Sequence, residues 1–115
     1  MLIKENHIAA AGSIKAAVET AKKLHPMIKI EVETENLNEF KQASDANADI
    51  IMLDNYSLND MRTAVNNNPK NIPVEASGGV SKETVVAIAE TGVNFISIGE
   101  ITKNINAIDL SMRLN

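Results

Sequence analysis

Short apolar runs recur along this chain, and each ends on a polar or glycine signature. Ile28, Ile30 and Val32 alternate with Lys29, Glu31 and Glu33, which predicts a half-polar strand over Ile28–Glu33. Ile50–Leu53 is continuously apolar, as a strand covered on both faces would be, and runs into Asp54–Asn55. Ile72–Ala76 leads into Ser77–Gly78–Gly79, and Phe95–Ile98 leads into Gly99. Met1–Lys4 reads as a further short strand running into Glu5–Asn6–His7. The steps from Glu33 to Asp54, to Ser77 and to Gly99 are 21, 23 and 22 residues. That spacing is one strand, one helix and two short loops, repeated.

Period-3.6 segments fill the gaps. Ser13 caps a helix with Ile14, Ala17, Val18, Ala21 and Leu24 on one face, ended by Pro26. Asn36 and Glu39 form a capping-box pattern before Leu37, Phe40 and Ala43. Ser57 and Asp60 open a helix with Leu58, Met61, Ala64 and Val65 inward, closed by Asn66–Asn68 and Pro69. Ser81 is expected to cap a fourth through Val85, Ile88 and Ala89, with Gly92 as its C′ glycine. The tail breaks the rhythm: Ile108, Leu110, Met112 and Leu114 alternate with polar residues, which predicts a lone strand with one wet face. The expected fold is α/β, repeated βα units forming part of a TIM-like (β/α) barrel, incomplete, with an orphan C-terminal strand.

Composition narrows the function classes. At 115 residues the chain is one domain at most, and with aromatics at 3% its core must be aliphatic. A net charge of −4 argues against nucleic acid as a partner, since phosphate binding needs clustered cations. The absence of Cys removes disulfides, thiolate metal sites and a Cys nucleophile, and fits a reducing cytoplasm. No apolar run approaches a membrane span.

In parallel α/β folds, chemistry collects at the carboxyl ends of the strands. Glu33 and Asp54 on adjacent strands could share a magnesium ion or accept hydrogen bonds from sugar hydroxyls. They could equally be solvated acids at the loop edges that cap the following helices. Ser77–Gly78–Gly79 and Gly99 suit oxyanion binding by backbone N–H groups before a helix, although glycines also serve tight turns. Lys4 on the same rim could hold a carboxylate or diphosphate oxygen, or be a plain surface lysine. His7 and His25 have no partners at metal or triad spacing, and His25 reads as a helix-end residue. Glu31 and Glu75 occupy polar strand positions and read as structural.

Five motifs in order carry a resemblance that spans essentially the whole chain. They are Leu2–Ile3–Lys4–Glu5–Asn6–His7 with Ala10–Ala11–Gly12, Ile30–Thr34, Ala48–Asn55, Val74–Val80 and Ile96–Gly99. Together they resemble the quinolinate phosphoribosyltransferases, also called carboxylating nicotinate-nucleotide pyrophosphorylases, and Ala107–Met112 is similar to that family's closing strand. The resemblance implies nicotinate mononucleotide formation from quinolinate and phosphoribosyl pyrophosphate, with magnesium, releasing carbon dioxide and diphosphate in NAD biosynthesis. It implies that Lys4 faces quinolinate and the diphosphate, and that Glu33 and Asp54 hold the ribose hydroxyls and the metal. It also makes Ser77, Gly78, Gly79 and Gly99 phosphate-binding. Glu100 departs from the family pattern, and an acid there would weaken anion binding.

The resemblance begins in mid-family, so the N-terminal domain and first barrel strands are expected to lie outside residues 1–115. The family's quinolinate-gripping basic segments have no counterpart here, where the only arginines are Arg62 and Arg113. The expectations are a homo-oligomer, or a complement of a missing N-terminal half, and a 115-residue chain inactive alone. A phosphoacceptor receiver domain is the rival, with Asp54, Ser77 and Lys103 in place, but it needs an acidic pair where Lys4–Glu5–Asn6 stands. A non-catalytic phosphate-binding α/β domain is a third reading.

Overall fold

In a computed structural model of the chain, residues 1–98 are described in full and 106–109 by their backbone. The elements in order are β1 (Leu2–Ile3), α1 (Glu5–Ala11), α2 (Ile14–Leu24), β2 (Glu31–Thr34), α3 (Leu37–Asp45) and β3 (Ile50–Asp54). They are followed by α4 (Leu58–Asn66), β4 (Val74–Ser77), α5 (Val85–Glu90), β5 (Phe95–Ile98) and β6 (Asn106–Asp109). The sheet order is β1-β2-β3-β4-β5-β6, with the first five strands parallel. A receiver domain would place its strands in the order 2-1-3-4-5. The sequential order therefore removes that rival.

The helices α2, α3 and α4 form where the apolar period places them, and each starts on the expected cap. The side chains of Ser13, Asn36 and Ser57 accept from the backbone N–H of Ala16, Glu39 and Asp60 at 3.0, 2.9 and 3.1 Å. Four right-handed crossovers taken in the same direction put every helix on one face, and consecutive helices α1 to α5 touch their neighbours. The core lies between that layer and the sheet. Ile3, Val32, Ile51, Leu53, Val74, Ala76 and Ile96 supply its strand side, and Ile14, Val18, Phe40, Ala43, Met61, Ala64 and Ile88 its helix side.

Some expectations need correction. Helix α1 is absent from the sequence-based expectation because none of its seven residues is buried, so it has no apolar period to read. Strand β2 starts at Glu31, not Ile28, because the Ile30 N–H is taken by the Asp49 carboxylate at 2.7 Å, while Ile28 sits half-exposed in the turn after Pro26. Strand β4 starts at Val74 because Asn68 holds both backbone groups of Ile72, donating at 2.7 Å and accepting at 3.1 Å, and Pro73 has no N–H. Ser81 caps no helix: the Thr84 hydroxyl accepts from the Ser81 N–H, and the helix begins only at Val85. Ile50–Asp54 is covered by helices on one face only, although Met52 on the other face is also buried.

The tail strand is not an orphan. Asn106–Asp109 pairs antiparallel with β5, in the register Phe95↔Asp109 and Ile98↔Asn106. The expected extension to Leu114 lies outside the described residues. Leu53 is fully buried at the centre of the core. Leu53→Ala is expected to cost about 3 kcal/mol in urea unfolding followed by circular dichroism, whereas Leu24→Ala on the exposed end of α2 should cost well under 1 kcal/mol.

Candidate functional site

Because strand side chains alternate, the face without helices carries the other half of each strand. Its register is polar: Glu33 pairs with Met52, Met52 with Glu75, Glu75 with Phe95, and Asp54 with Ser77 one step nearer the carboxyl ends. Lys4 follows β1 on the same rim. Glu33 and Asp54 are thus offset by one pleat, and the residue level with Asp54 is Ser77.

Electrostatics ties three of these groups together. The Glu33 carboxyl is held above its ordinary value, first by burial and next by repulsion from Asp54, while the Lys4 ammonium pulls it down. Glu35, further along the rim, is also raised, chiefly by repulsion from Glu5. The rim is a place of crowded negative charge with one lysine.

Among the described residues no three acidic or histidine side chains gather closely enough to hold a metal alone. Two hard oxygen donors nevertheless fit magnesium, which commonly takes one or two carboxylates and completes its shell with water and substrate phosphate. The Glu33–Asp54 repulsion is the kind of strain a cation relieves.

The loop after β4 turns on Gly78 and Gly79, with φ of +84° and +63°. A Cβ at Gly78 would collide with the Asn55 side-chain amide, while at Gly79 nothing lies within 4 Å. Asn55 itself has φ +57°, and its N–H donates to the Ser77 carbonyl at 2.9 Å. The loops after β3 and β4 are therefore built against each other. Asn55 is not among the site residues expected from the sequence, although an Asn just past a strand-end Asp is a left-handed turn signal. Since α5 starts at Val85 and has six residues, no helix N-terminus among the described residues reaches this loop, and anion binding there would rest on loop backbone. Gly99 and Glu100 lie outside the described residues.

His7 is structural: its Nδ1 accepts from the Lys4 N–H at 3.1 Å and so fixes the start of α1. His25 is the C-cap of α2. Arg62 lies on α4, donating to Asn59 at 3.3 Å, on the helical side. Hollows of about 340 and 330 Å³ also lie on that side, between α3 and α4 and beside α1 and α2, with no rim carboxylate in their walls.

One further cluster sits deeper on the polar face. Ser97 donates to the Glu75 carboxylate. Burial, then a hydrogen bond with Glu31 and repulsion from it, pushes Glu75 up to about 8. At neutral pH this carboxyl keeps its proton.

These residues match the family model described as quinolinate phosphoribosyl transferase, C-terminal domain, over residues 1–113. The chain belongs to the quinolinate phosphoribosyltransferase family. It is 42% identical to a probable carboxylating nicotinate-nucleotide pyrophosphorylase of Bacillus subtilis, covering 97% of this chain and 39% of that protein. A Synechocystis protein of the same name is 44% identical, over 99% of this chain and 40% of its own length. Among solved structures, the nicotinate-nucleotide pyrophosphorylase of Francisella tularensis superposes with a TM-score of 0.84 at 53% identity, over 94% of this chain and 39% of that one. The chain thus spans about two fifths of the phosphoribosyltransferases it matches. A thiamine phosphate pyrophosphorylase of Pyrococcus furiosus, 22% identical with a TM-score of 0.68, shares the fold. No helix among the described residues is long and apolar enough to cross a membrane.

The buried Glu75 sets a pH dependence. A carboxyl raised in the folded state binds its proton more tightly folded than unfolded, so its contribution is complete below the unfolded value of 4.5 and is lost as pH rises towards about 8. The unfolding midpoint is expected to fall between pH 5 and 8, and Glu75→Gln should flatten that slope. At the loop, Gly78→Ala should cost about 2 kcal/mol and Gly79→Ala about 1 kcal/mol. Adding Asn55→Gly should recover part of the Gly78→Ala loss, since it removes the clashing side chain; chemical denaturation of the single and double variants measures this.

Proposed function

We propose that this chain supplies the phosphoribosyl half of a quinolinate phosphoribosyltransferase site, in the synthesis of nicotinate mononucleotide from quinolinate and phosphoribosyl pyrophosphate. The observation that carries this reading is the coupling of Lys4, Glu33 and Asp54 on one rim, with Ser77 level with Asp54. A carboxylate pair next to a glycine turn suits a ribose with a phosphate at its end. The family names of the matched proteins support the same reading.

In the proposed chemistry the quinolinate ring nitrogen forms a bond to the anomeric carbon as the bond to diphosphate breaks. Positive charge develops on the ribose ring, and Glu33 and Asp54 accept hydrogen bonds from its hydroxyls while stabilising that charge. Lys4 places a cation by the departing diphosphate or a quinolinate carboxylate. Ser77, Gly78 and Gly79 offer a hydroxyl and close backbone approach to a phosphate group. Magnesium, held by Glu33 and Asp54, would supply charge neutralisation to the diphosphate. The carboxylate beside the ring nitrogen then leaves as carbon dioxide; the bonding pair stays on that ring carbon, stabilised by the adjacent positive nitrogen, and takes up a proton to form the new C–H bond. None of these steps needs a protein nucleophile, and positioning of two anionic substrates carries most of the work.

Those substrates are polyanions, whereas the described rim offers one lysine among carboxylates. Further cations must come from outside the described rim, in the intact enzyme. The 115-residue polypeptide by itself is therefore expected to show no turnover of quinolinate. Calorimetry is expected to show that it binds phosphoribosyl pyrophosphate with magnesium, and that Glu33→Gln and Asp54→Asn each weaken binding at least about tenfold. Binding indifferent to both substitutions would overturn the site assignment, and unaided turnover would overturn the division of the site.

A further inference from the structure

Strands β2 and β3 share their last register pair at Thr34 and Leu53. Past that point the backbone ladder ends, and Asn55 turns the chain out of β3. Side chains continue the connection. The Thr34 hydroxyl donates to the Met52 carbonyl at 2.8 Å and lies 2.7 Å from the Tyr56 hydroxyl. The Tyr56 hydroxyl in turn donates to the Asn36 carbonyl at 2.5 Å. Two protons serve three contacts, so two of them are hydrogen bonds at any moment: with Tyr56 donating to Asn36, the Thr34 proton goes either to the Met52 carbonyl or to the Tyr56 oxygen.

The chain is dry. Thr34 is fully buried and Tyr56 is 8% exposed, so water does not compete for these bonds. Burial also pushes the phenol up to about 12, which keeps it a neutral donor across the physiological range.

Its anchor points bracket the rim carboxylates. Thr34 directly follows Glu33, and Met52 and Tyr56 stand two residues either side of Asp54. Asn36 is the N-cap of α3. Thr34 sits on the helix side of the sheet, whereas Glu33 sits on the polar side. The contacts therefore grip the backbone that carries the site without entering it.

We propose that Tyr56 is a positioning residue: with Thr34 it straps the loop after β2 to the loop after β3 and so fixes the separation of Glu33 and Asp54. This rests on the reading of those carboxylates as a phosphoribosyl site and adds to it a residue that touches no substrate. A carboxylate pair held at one span loses little freedom when it takes a vicinal diol or a cation. Removing the hydroxyl leaves the ring packed but lets the loop tips separate.

The test uses the full chain with Tyr56→Phe, Thr34→Val and the double variant. Amide hydrogen exchange over residues 35–39 and 55–57 is expected to quicken at least about tenfold in Tyr56→Phe, with core amides of β3 unchanged. Affinity for phosphoribosyl pyrophosphate with magnesium should fall about tenfold, and the double variant should be no worse than Tyr56→Phe alone, because both substitutions break one strap. Loop exchange unaltered in Tyr56→Phe overturns the proposal, as does unaltered affinity in a wild type that binds. A wild type that binds no phosphoribosyl pyrophosphate overturns the site reading instead, and the exchange measurement then decides the strap. Should Tyr56→Phe not fold, the Tyr56 hydroxyl proton of the wild type decides: protection from solvent exchange in nuclear magnetic resonance supports the strap, and exchange as fast as a free phenol's overturns it.

Discussion

A strand joined through a helix to a parallel neighbour crosses over right-handed, and this chain makes four such crossings in the same direction. The helices then have only one face of the sheet available to them. Alternate strand residues must be aliphatic to meet that layer, and Ile3, Val32, Ile51, Leu53, Val74 and Ile96 are. The remaining alternate residues are released from that demand. Lys4, Glu33, Asp54, Glu75 and Ser77 can be polar because the topology leaves their face without a helical cover.

That release has an electrostatic consequence. Carboxylates brought onto one face repel each other, and the structure contains two answers to the problem. At the rim, Glu33 and Asp54 stay near a lysine and only half-buried, where a substrate or cation can reach them. Deeper down, Glu75 keeps a proton and bonds to Ser97, so the same residue type becomes a neutral packing element. Two glutamates on the same face thus do different work because their depth differs.

Much of this is legible in the sequence, and the failures have local physical causes. Helices α2, α3 and α4 can be read because an apolar stripe and a Ser or Asn cap are both local signals. The late starts of β2 and β4 cannot, since Asp49 and Asn68 capture the backbone through side chains whose reach no periodicity reveals. The rim positions of Glu33, Asp54 and Ser77 are legible from their spacing, since each stands at or next to the end of its strand, although only Asp54 and Ser77 are level in the sheet. Tyr56 is not, because its partners Asn36 and Thr34 lie 20 and 22 residues away and nothing beside it in the sequence points to them. Glu75 reads as structural from its polar strand position, and its burial and bond with Ser97 agree with that.

The near-constant step of 21 to 23 residues between strand ends also bears on how the molecule assembles. In the parallel sheet each new strand pairs with the strand before it in sequence, so no parallel pairing requires a distant part of the chain to be found first. The closure entropy of loops of similar length differs by only a few tenths of a kcal/mol, on the order of (3/2)RT ln n. The search is divided into a series of short, nearly equal closures, each templated by the edge left by the last. Such a chain can add order unit by unit as it leaves the ribosome.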